Sequence, residues 1–197
     1  MITMKDYVKI RKHWKGRVYA DTWIFPRIKH FVEHGKALKG KKVLDIGCNA
    51  GVFGIEASKM AESYIGMEKE PQYYEQALIT QKSMENPNTR IVKADLLEMP
   101  KDLEFNAVMA LFVVYHFYPP EVKIFRDEVL PKCDTVVTQL RHGPRKTIKN
   151  NMGWHHPHKY IQFLEKAGFK SKHHVYKKNR QFSTIVSERV REANWEG

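Results

Sequence analysis

Cysteine is scarce in this chain, and the little there is does not organise. Cys48 and Cys133 are the only two among 197 residues. They form no C-x-x-C pair and have no Cys/His partners at zinc spacing. A disulfide-stapled scaffold and a structural zinc domain are therefore excluded, and no metal site is expected. Two buried thiols in a reducing, cytoplasmic setting are the reading, with a single disulfide as the alternative. Long apolar runs are missing too. Nothing approaches the ~20 residues that a membrane helix needs, and residues 1–11 lack the apolar centre of a secretory signal. No membrane partner is expected. Internal repeats, low-complexity tracts and Ser/Gly linkers are also absent.

What is present is an ordinary globular composition, 42% hydrophobic and 28% charged, at a length that suits one domain with a short N-terminal extension. The net charge of +12 is unevenly spread. Residues 1–40 hold ten Lys/Arg against three Asp/Glu, residues 41–140 eleven against fifteen, and residues 141–197 thirteen against four. Both flanks are strongly basic around a slightly acidic middle. If the flanks fold onto one face, that face attracts an anion such as a nucleic acid.

From residue 41 onward, strands and helices alternate, the pattern of a largely parallel α/β sheet. Strands are expected at 43–46, 64–67, 90–93, 107–111 and 135–138, with helices at 52–61, 71–85, 121–129 and 157–167. Pro71 sits where a helix tolerates proline, at its first position, and Gly168 where a helix ends. The closing segments 172–176 and 182–186 are too close together for a parallel crossover, so they predict an antiparallel hairpin. Upstream, Tyr7, Ile10 and Trp14 share one helical face, as do Ile24, Ile28, Phe31 and Val32. Two N-terminal helices in residues 1–40 are expected to form a substrate-facing lid on a cofactor-binding domain of residues 41–197.

The sharpest local signal is Val43-Leu44-Asp45-Ile46-Gly47-Cys48-Asn49-Ala50-Gly51. A buried strand runs into a turn with two glycines, and a helix begins at once. Open α/β sheets bind ligands at the carboxyl ends of their strands, in turns of this kind. The dinucleotide pattern G-x-G-x-x-G fails because Asn49 stands at its third position, and the Lys-Ser/Thr ending of a P-loop is lacking. Asp45 would repel a pyrophosphate but suits an ammonium or sulfonium. Glu68, 23 residues on, ends the second strand, where a carboxylate can accept from ribose hydroxyls. Asp95, after the third, can meet an adenine amino group. The three carboxylates and the glycine turn describe a site for a cationic nucleoside.

These segments resemble the class I S-adenosylmethionine-dependent methyltransferases. Asp45-Ile46-Gly47-Cys48-Asn49-Ala50-Gly51 is similar to their first motif, and Glu68 to their acidic ribose ligand. Asp95-Leu96 matches their adenine-contacting position, and Phe105-Asn106-Ala107-Val108-Met109-Ala110-Leu111 their fourth-strand motif. Asn49 and Asn106 depart from the commonest residues there. The resemblance spans residues 41–188. It implies a Rossmann-like three-layer sandwich with a seven-stranded, mostly parallel sheet and one antiparallel strand. It implies S-adenosylmethionine as cofactor, held by Asp45, Gly47, Cys48, Asn49, Gly51, Glu68, Lys69, Asp95, Leu96 and Leu111.

For the acceptor, the loop Phe112-Val113-Val114-Tyr115-His116-Phe117 follows the fourth strand. Tyr115 and His116 are the candidate catalytic residues, His116 as a base where the nucleophile must lose a proton; a structural role for His116 is the competing reading. The Asp/Asn-Pro-Pro-Tyr/Phe signature of adenine and cytosine amino methylation is not found after that strand. Neither cysteine looks placed for the covalent attack that carbon-5 pyrimidine methylation needs. Trp14, Arg17, Trp23, Arg141, His142, Arg145, Lys146 and Trp154 mix cations with aromatics and are the candidate substrate-binding residues. The acceptor is expected to be a nucleic acid, RNA (tRNA included) or DNA. Small-molecule N- or O-methylation is the alternative, and a non-catalytic cofactor-binding subunit a third reading.

Overall fold

The computed structural model describes residues 1–14, 21–141, 154, 156–176 and 182–190, with the backbone alone for residues 21–23. Seven strands form one sheet: β1 (Lys42–Ile46), β2 (Ser63–Glu68), β3 (Thr89–Lys93), β4 (Ala107–Leu111), β5 (Thr135–Arg141), β6 (Phe169–Val175) and β7 (Phe182–Arg189). Their order is β3-β2-β1-β4-β5-β7-β6. Neighbouring strands from β3 to β5 pair in parallel. β7 runs antiparallel to both β5 and β6, as the closing hairpin predicts.

Alternation along each strand divides the core between the two faces of the sheet. Leu44, Val108, Ala110 and Val136 point into one cluster with Val122, Phe125, Tyr160 and Leu164. The last four belong to the layer containing α5 (Pro119–Ile124), the turn that follows it and α6 (Pro157–Lys166). Val43, Ala107, Met109 and Val137 point the other way, with Phe31, Ala57 and Ala77. Those three lie on α2 (Asp21–His34), α3 (Val52–Met60) and α4 (Pro71–Gln81). The result is the three-layer sandwich expected.

Several boundaries differ from the sequence reading, among them the ends of α4, β6 and β7; two bear on the site, each for a local reason. The helix expected to run to residue 129 stops at Ile124 and widens into a π-turn over Phe125–Val129 and a 3-10 turn over Leu130–Lys132. Pro131 has no N–H for the ladder and cannot extend an α-helix. β5 runs three residues past the expected 138 because β7 pairs with it all the way to Arg141, opposite Phe182. That extension carries Arg141 to the carboxyl edge of the sheet.

The N-terminal helices share their core with the glycine turn. α1 (Met4–Arg11) starts on a capping box, in which the Asp6 amide donates to Thr3 Oγ1 at 3.2 Å and the Thr3 amide to Asp6 Oδ2 at 3.2 Å. The helix ends at Arg11, so Trp14 follows in a turn. Ile2, Tyr7, Ile10, Trp14, Ile24 and Ile28 pack with Ala50, Val52 and Ile55. The Met1 ammonium and the Ile2 amide both meet buried Glu56 of α3. No helix among the described residues is long and apolar enough to cross a membrane.

Candidate active site

β1 ends inside the sheet, and the chain must turn sharply to enter α3. Gly47 turns at φ +68° and Gly51, the N-cap of α3, at φ +74°. The Gly47 and Cys48 amides both donate to the Met67 carbonyl, at 2.8 and 3.0 Å, which pins the turn to β2. Between them Asn49 sits at φ 53°, a left-handed conformation that asparagine tolerates better than most residues. Its Oδ1 accepts from the Ala50 amide at 2.8 Å. The departure from glycine at this position thus keeps the backbone shape.

A Cβ on Gly47 would lie 2.9 Å from Val113 Cγ2 and would also meet the positive φ. Gly47→Ala is expected to cost about 1–3 kcal/mol of stability from these two effects. Thermal unfolding checks it, and an unchanged midpoint would contradict the close approach of the two loops.

Asp45 is 2% exposed and accepts a hydrogen bond from the Tyr64 hydroxyl at 2.7 Å. Burial pushes its carboxyl up to about 8; the tyrosine hydrogen bond opposes the rise and Glu68 adds to it. Burial also raises Glu68, against the pull of the Glu70, Asn49 and Lys69 amides. Two of those bonds are short: Asn49 N to Oε2 at 2.8 Å and Glu70 N to Oε1 at 2.9 Å. A carboxylate offers about four acceptor positions, so Glu68 keeps capacity for a ligand hydroxyl. Asp95 caps the 3-10 turn Leu96–Glu98 and takes the Lys69 ammonium at 2.9 Å. Burial raises its carboxyl, but Lys69 and the Leu97 amide outweigh that and hold it below the ordinary carboxylate range.

A cavity of about 610 Å³ opens at the carboxyl ends of the strands, within the size range of small-molecule and cofactor sites. Acidic Asp45, Glu68 and Asp95 line it from the β1, β2 and β3 side. Phe112, Tyr115 and His116 line it from the loop after β4, and Arg141 from the end of β5. Across the sheet the lining passes from a side rich in carboxylates, with Lys69 among them, to one with arginine, histidine and aromatic rings alongside Glu121. Tyr115 is buried and His116 exposed, with ring centroids 4.6 Å apart. Cys48 also lines the cavity, but burial, with Asp45 and Glu68 beside it, drives its thiol well above the ordinary range. Cys133 is a second free, buried thiol, pushed up to about 12 by burial. Neither is a thiolate nucleophile at neutral pH.

Nine of the ten cofactor candidates line this cavity: Asp45, Gly47, Cys48, Asn49, Glu68, Lys69, Asp95, Leu96 and Leu111. Gly51 does not. A Cβ there would face Ala77 and Thr80 of α4 at 3.5–3.6 Å, so its place is at the entry to α3. Of the acceptor candidates, Arg141 and Trp14 line the cavity. Trp14 is 8% exposed, packs against the glycine turn and donates through Nε1 to Thr80 Oγ1 at 3.3 Å.

Trp154 corrects the sequence reading. It is 2% exposed, wedged among Phe117, Tyr160 and Phe163 at centroid distances of 6.4, 5.3 and 4.6 Å. Its large apolar surface is spent on the core, so it is not a substrate-wall residue. Arg17, His142, Arg145 and Lys146 lie outside the described residues, as does the side chain of Trp23. Sequence reasoning missed Arg27, which lines the cavity from α2. The available signal was a cation three residues after Ile24, inside an apolar helical stripe.

A seven-stranded sheet of this order, with acidic side chains at the carboxyl ends of its first strands and a glycine turn between them, defines a Rossmann-like nucleoside-binding domain. Residues 43–131 match a family model described as a methyltransferase domain. The fold is shared with the methyltransferase domain of bacterial CtHen1 (TM-score 0.65, 16% identity, covering 83% of this chain and 97% of that one). It is also shared with magnesium protoporphyrin IX methyltransferase from Synechocystis PCC 6803 with bound SAM (TM-score 0.66, 15% identity, 93% and 91%). A third is a putative RNA methyltransferase from Pyrococcus horikoshii (TM-score 0.60, 14% identity, 93% and 96%). At these identities the likeness speaks for the fold. No curated protein sequence matches the chain. Residues 43–131 thus match a methyltransferase domain, and the chain has the fold of these S-adenosylmethionine-dependent methyltransferases.

Proposed function

We propose that this methyltransferase acts on a nucleic acid, RNA in the first instance, and that the two ends of its cavity divide the work. The observation that carries the reading is the change of charge across the sheet. The acidic middle of the chain supplies Asp45, Glu68 and Asp95, while each basic flank sends one arginine, Arg27 and Arg141, into the same cavity. S-adenosylmethionine supplies a methyl group already activated by a sulfonium. When it is bound, Asp45 would face the cation, Glu68 would accept from the ribose hydroxyls, and Asp95 with Leu96 would border the adenine. The residues present fit this ligand: two buried carboxylates with raised affinity for protons sit in one mainly apolar cavity, where a cation would relieve them.

The acceptor enters from the β4–β5 side. Alignment supplies most of the catalysis in an in-line displacement. The buried Tyr115 ring sets the floor beside His116, and His116 takes a proton from the acceptor as its nucleophile forms the new bond. A second reading, a small anionic acceptor, is favoured by the position of both arginines, which line the cavity itself.

The test is transfer of radiolabelled methyl into total RNA, genomic DNA and a small-metabolite extract. Label in RNA supports the first reading; label confined to the extract supports the second. With the labelled substrate, His116→Ala is expected to lower kcat about 100-fold or more, as loss of a general base does, while cofactor affinity by calorimetry stays put. Full activity in that variant would return His116 to a structural role.

A further inference from the structure

The geometry points to a phosphate clamp for the acceptor, made by Arg27 and Arg141 around the Phe112 ring and held in place by a buried Gln139–Thr184–His30 relay. It rests on the acceptor reading above and specifies where that acceptor is gripped.

Phe112 takes φ 59° directly after β4, a left-handed conformation that an aromatic residue adopts only under constraint. Its amide donates to the Gln139 carbonyl at 2.7 Å, which fixes the strained residue to β5. The ring thereby lies beneath Arg27, whose guanidinium carbon is 4.3 Å from its centroid. The ring also meets Phe182 edge-on at 6.0 Å, and Phe182 is the β7 partner of Arg141. Arg27 thus stands on this aromatic pair from α2, and Arg141 lines the same cavity from the β5 position paired with Phe182. A guanidinium sheds water more readily than an ammonium and grips a phosphate with two parallel N–H bonds.

Arg27 is not left to find its place. The Gln139 amide nitrogen donates to the Arg27 carbonyl at 3.1 Å and to Thr184 Oγ1 at 3.0 Å. Thr184 Oγ1 lies 2.7 Å from His30 Nδ1. Thr184 Oγ1 can accept the Gln139 N–H and give its own proton to Nδ1 of a neutral His30. Burial, aided by His34, holds the His30 imidazole down to about 4, which keeps it so. One turn of α2 is therefore locked to β5 and β7, and Arg27 with it. These three are positioning residues: they touch the clamp through the backbone of Arg27.

The test uses the full chain and two probes, a fluorescein-labelled random-sequence RNA 10-mer and inorganic pyrophosphate as competitor. Arg27→Gln and Arg141→Gln should each weaken RNA binding about tenfold and lower the salt slope by about one. Arg27→Lys, which keeps charge but not the fork, should recover part of the loss. S-adenosylhomocysteine affinity, read by calorimetry, should hold in all three, which also reports that they fold. Pyrophosphate should displace the RNA from the wild type. RNA binding unchanged in both Gln variants overturns the clamp and leaves the nucleic-acid reading standing. Pyrophosphate binding that depends on Arg27, with no RNA binding, keeps the clamp and removes the nucleic-acid reading. A fall in S-adenosylhomocysteine affinity alone in Arg27→Gln assigns that residue to the cofactor's carboxylate and overturns the clamp.

Discussion

Glu68→Ala is expected to lower S-adenosylhomocysteine affinity about 100-fold or more and to lower the melting temperature as well, because two backbone amides lose their acceptor. Glu68 does two things at once. Its oxygens accept from the Asn49 and Glu70 amides at 2.8 and 2.9 Å, so it holds the glycine turn against the start of α4. It also faces the cavity, where its remaining acceptor capacity would meet a ribose under the proposed reading. Hydrogen bonds to a charged group are worth about 1.5–3 kcal/mol each, and about 2.7 kcal/mol is a hundredfold in affinity. The loss should therefore exceed what one ligand contact would give. Glu68→Gln separates the two roles. It keeps one acceptor oxygen but turns an amide group toward a backbone N–H that also donates, so it should repair little of the defect. Calorimetry with both variants decides; wild-type affinity in either would remove Glu68 from the site.

The acidic half of this cavity was legible in the sequence because its geometry is local. Asp45 and Glu68 lie at the ends of their strands and Asp95 just past the third, at spacings that can be counted, and the Gly47–Gly51 turn joins one strand to the next helix. The acceptor half depends on contacts far apart in the chain. Arg27 reaches Phe112 across 85 positions and Gln139 bonds to Arg27 across 112, and no local periodicity encodes such a pairing. Trp154 shows the opposite failure. A tryptophan among cations reads as a stacking platform, but three aromatic neighbours from β4's loop and α6 offered it a better burial than solvent. Pro131 requires the preceding helix to end, but nothing local to it tells that the helix widens into a π-turn first. The strand boundaries held best where the apolar run was unbroken, as in Ala107–Leu111, a central strand buried on both faces.

Asp45 should make both stability and cofactor affinity depend on pH. Its carboxyl stands near 8 in the folded, ligand-free chain, against 3.8 ordinarily. Between those values the unfolded chain has lost the proton and the folded chain still carries it. The stabilisation this group contributes is thus full below pH 3.8 and is lost as pH rises toward 8, at about 1.4 kcal/mol per unit. His30 runs the other way: its folded value near 4 lies below the ordinary 6.5, so its contribution is lost as pH falls from 6.5 to 4. Between pH 6.5 and 8 only the Asp45 slope remains of the two. Over that window the ligand-free protein should lose about 2 kcal/mol, or roughly 4–8 °C in melting temperature. Asp45→Asn keeps an acceptor for the Tyr64 hydroxyl and should flatten the slope, melting above wild type at pH 8. A cationic ligand reverses the preference by favouring the carboxylate. S-adenosylmethionine affinity should therefore climb with pH from 6 to 7.5 in the wild type, by at most tenfold per unit, and stay weak and level in Asp45→Asn. Parallel pH curves for the two proteins would mean that Asp45 does not face the cofactor's charge.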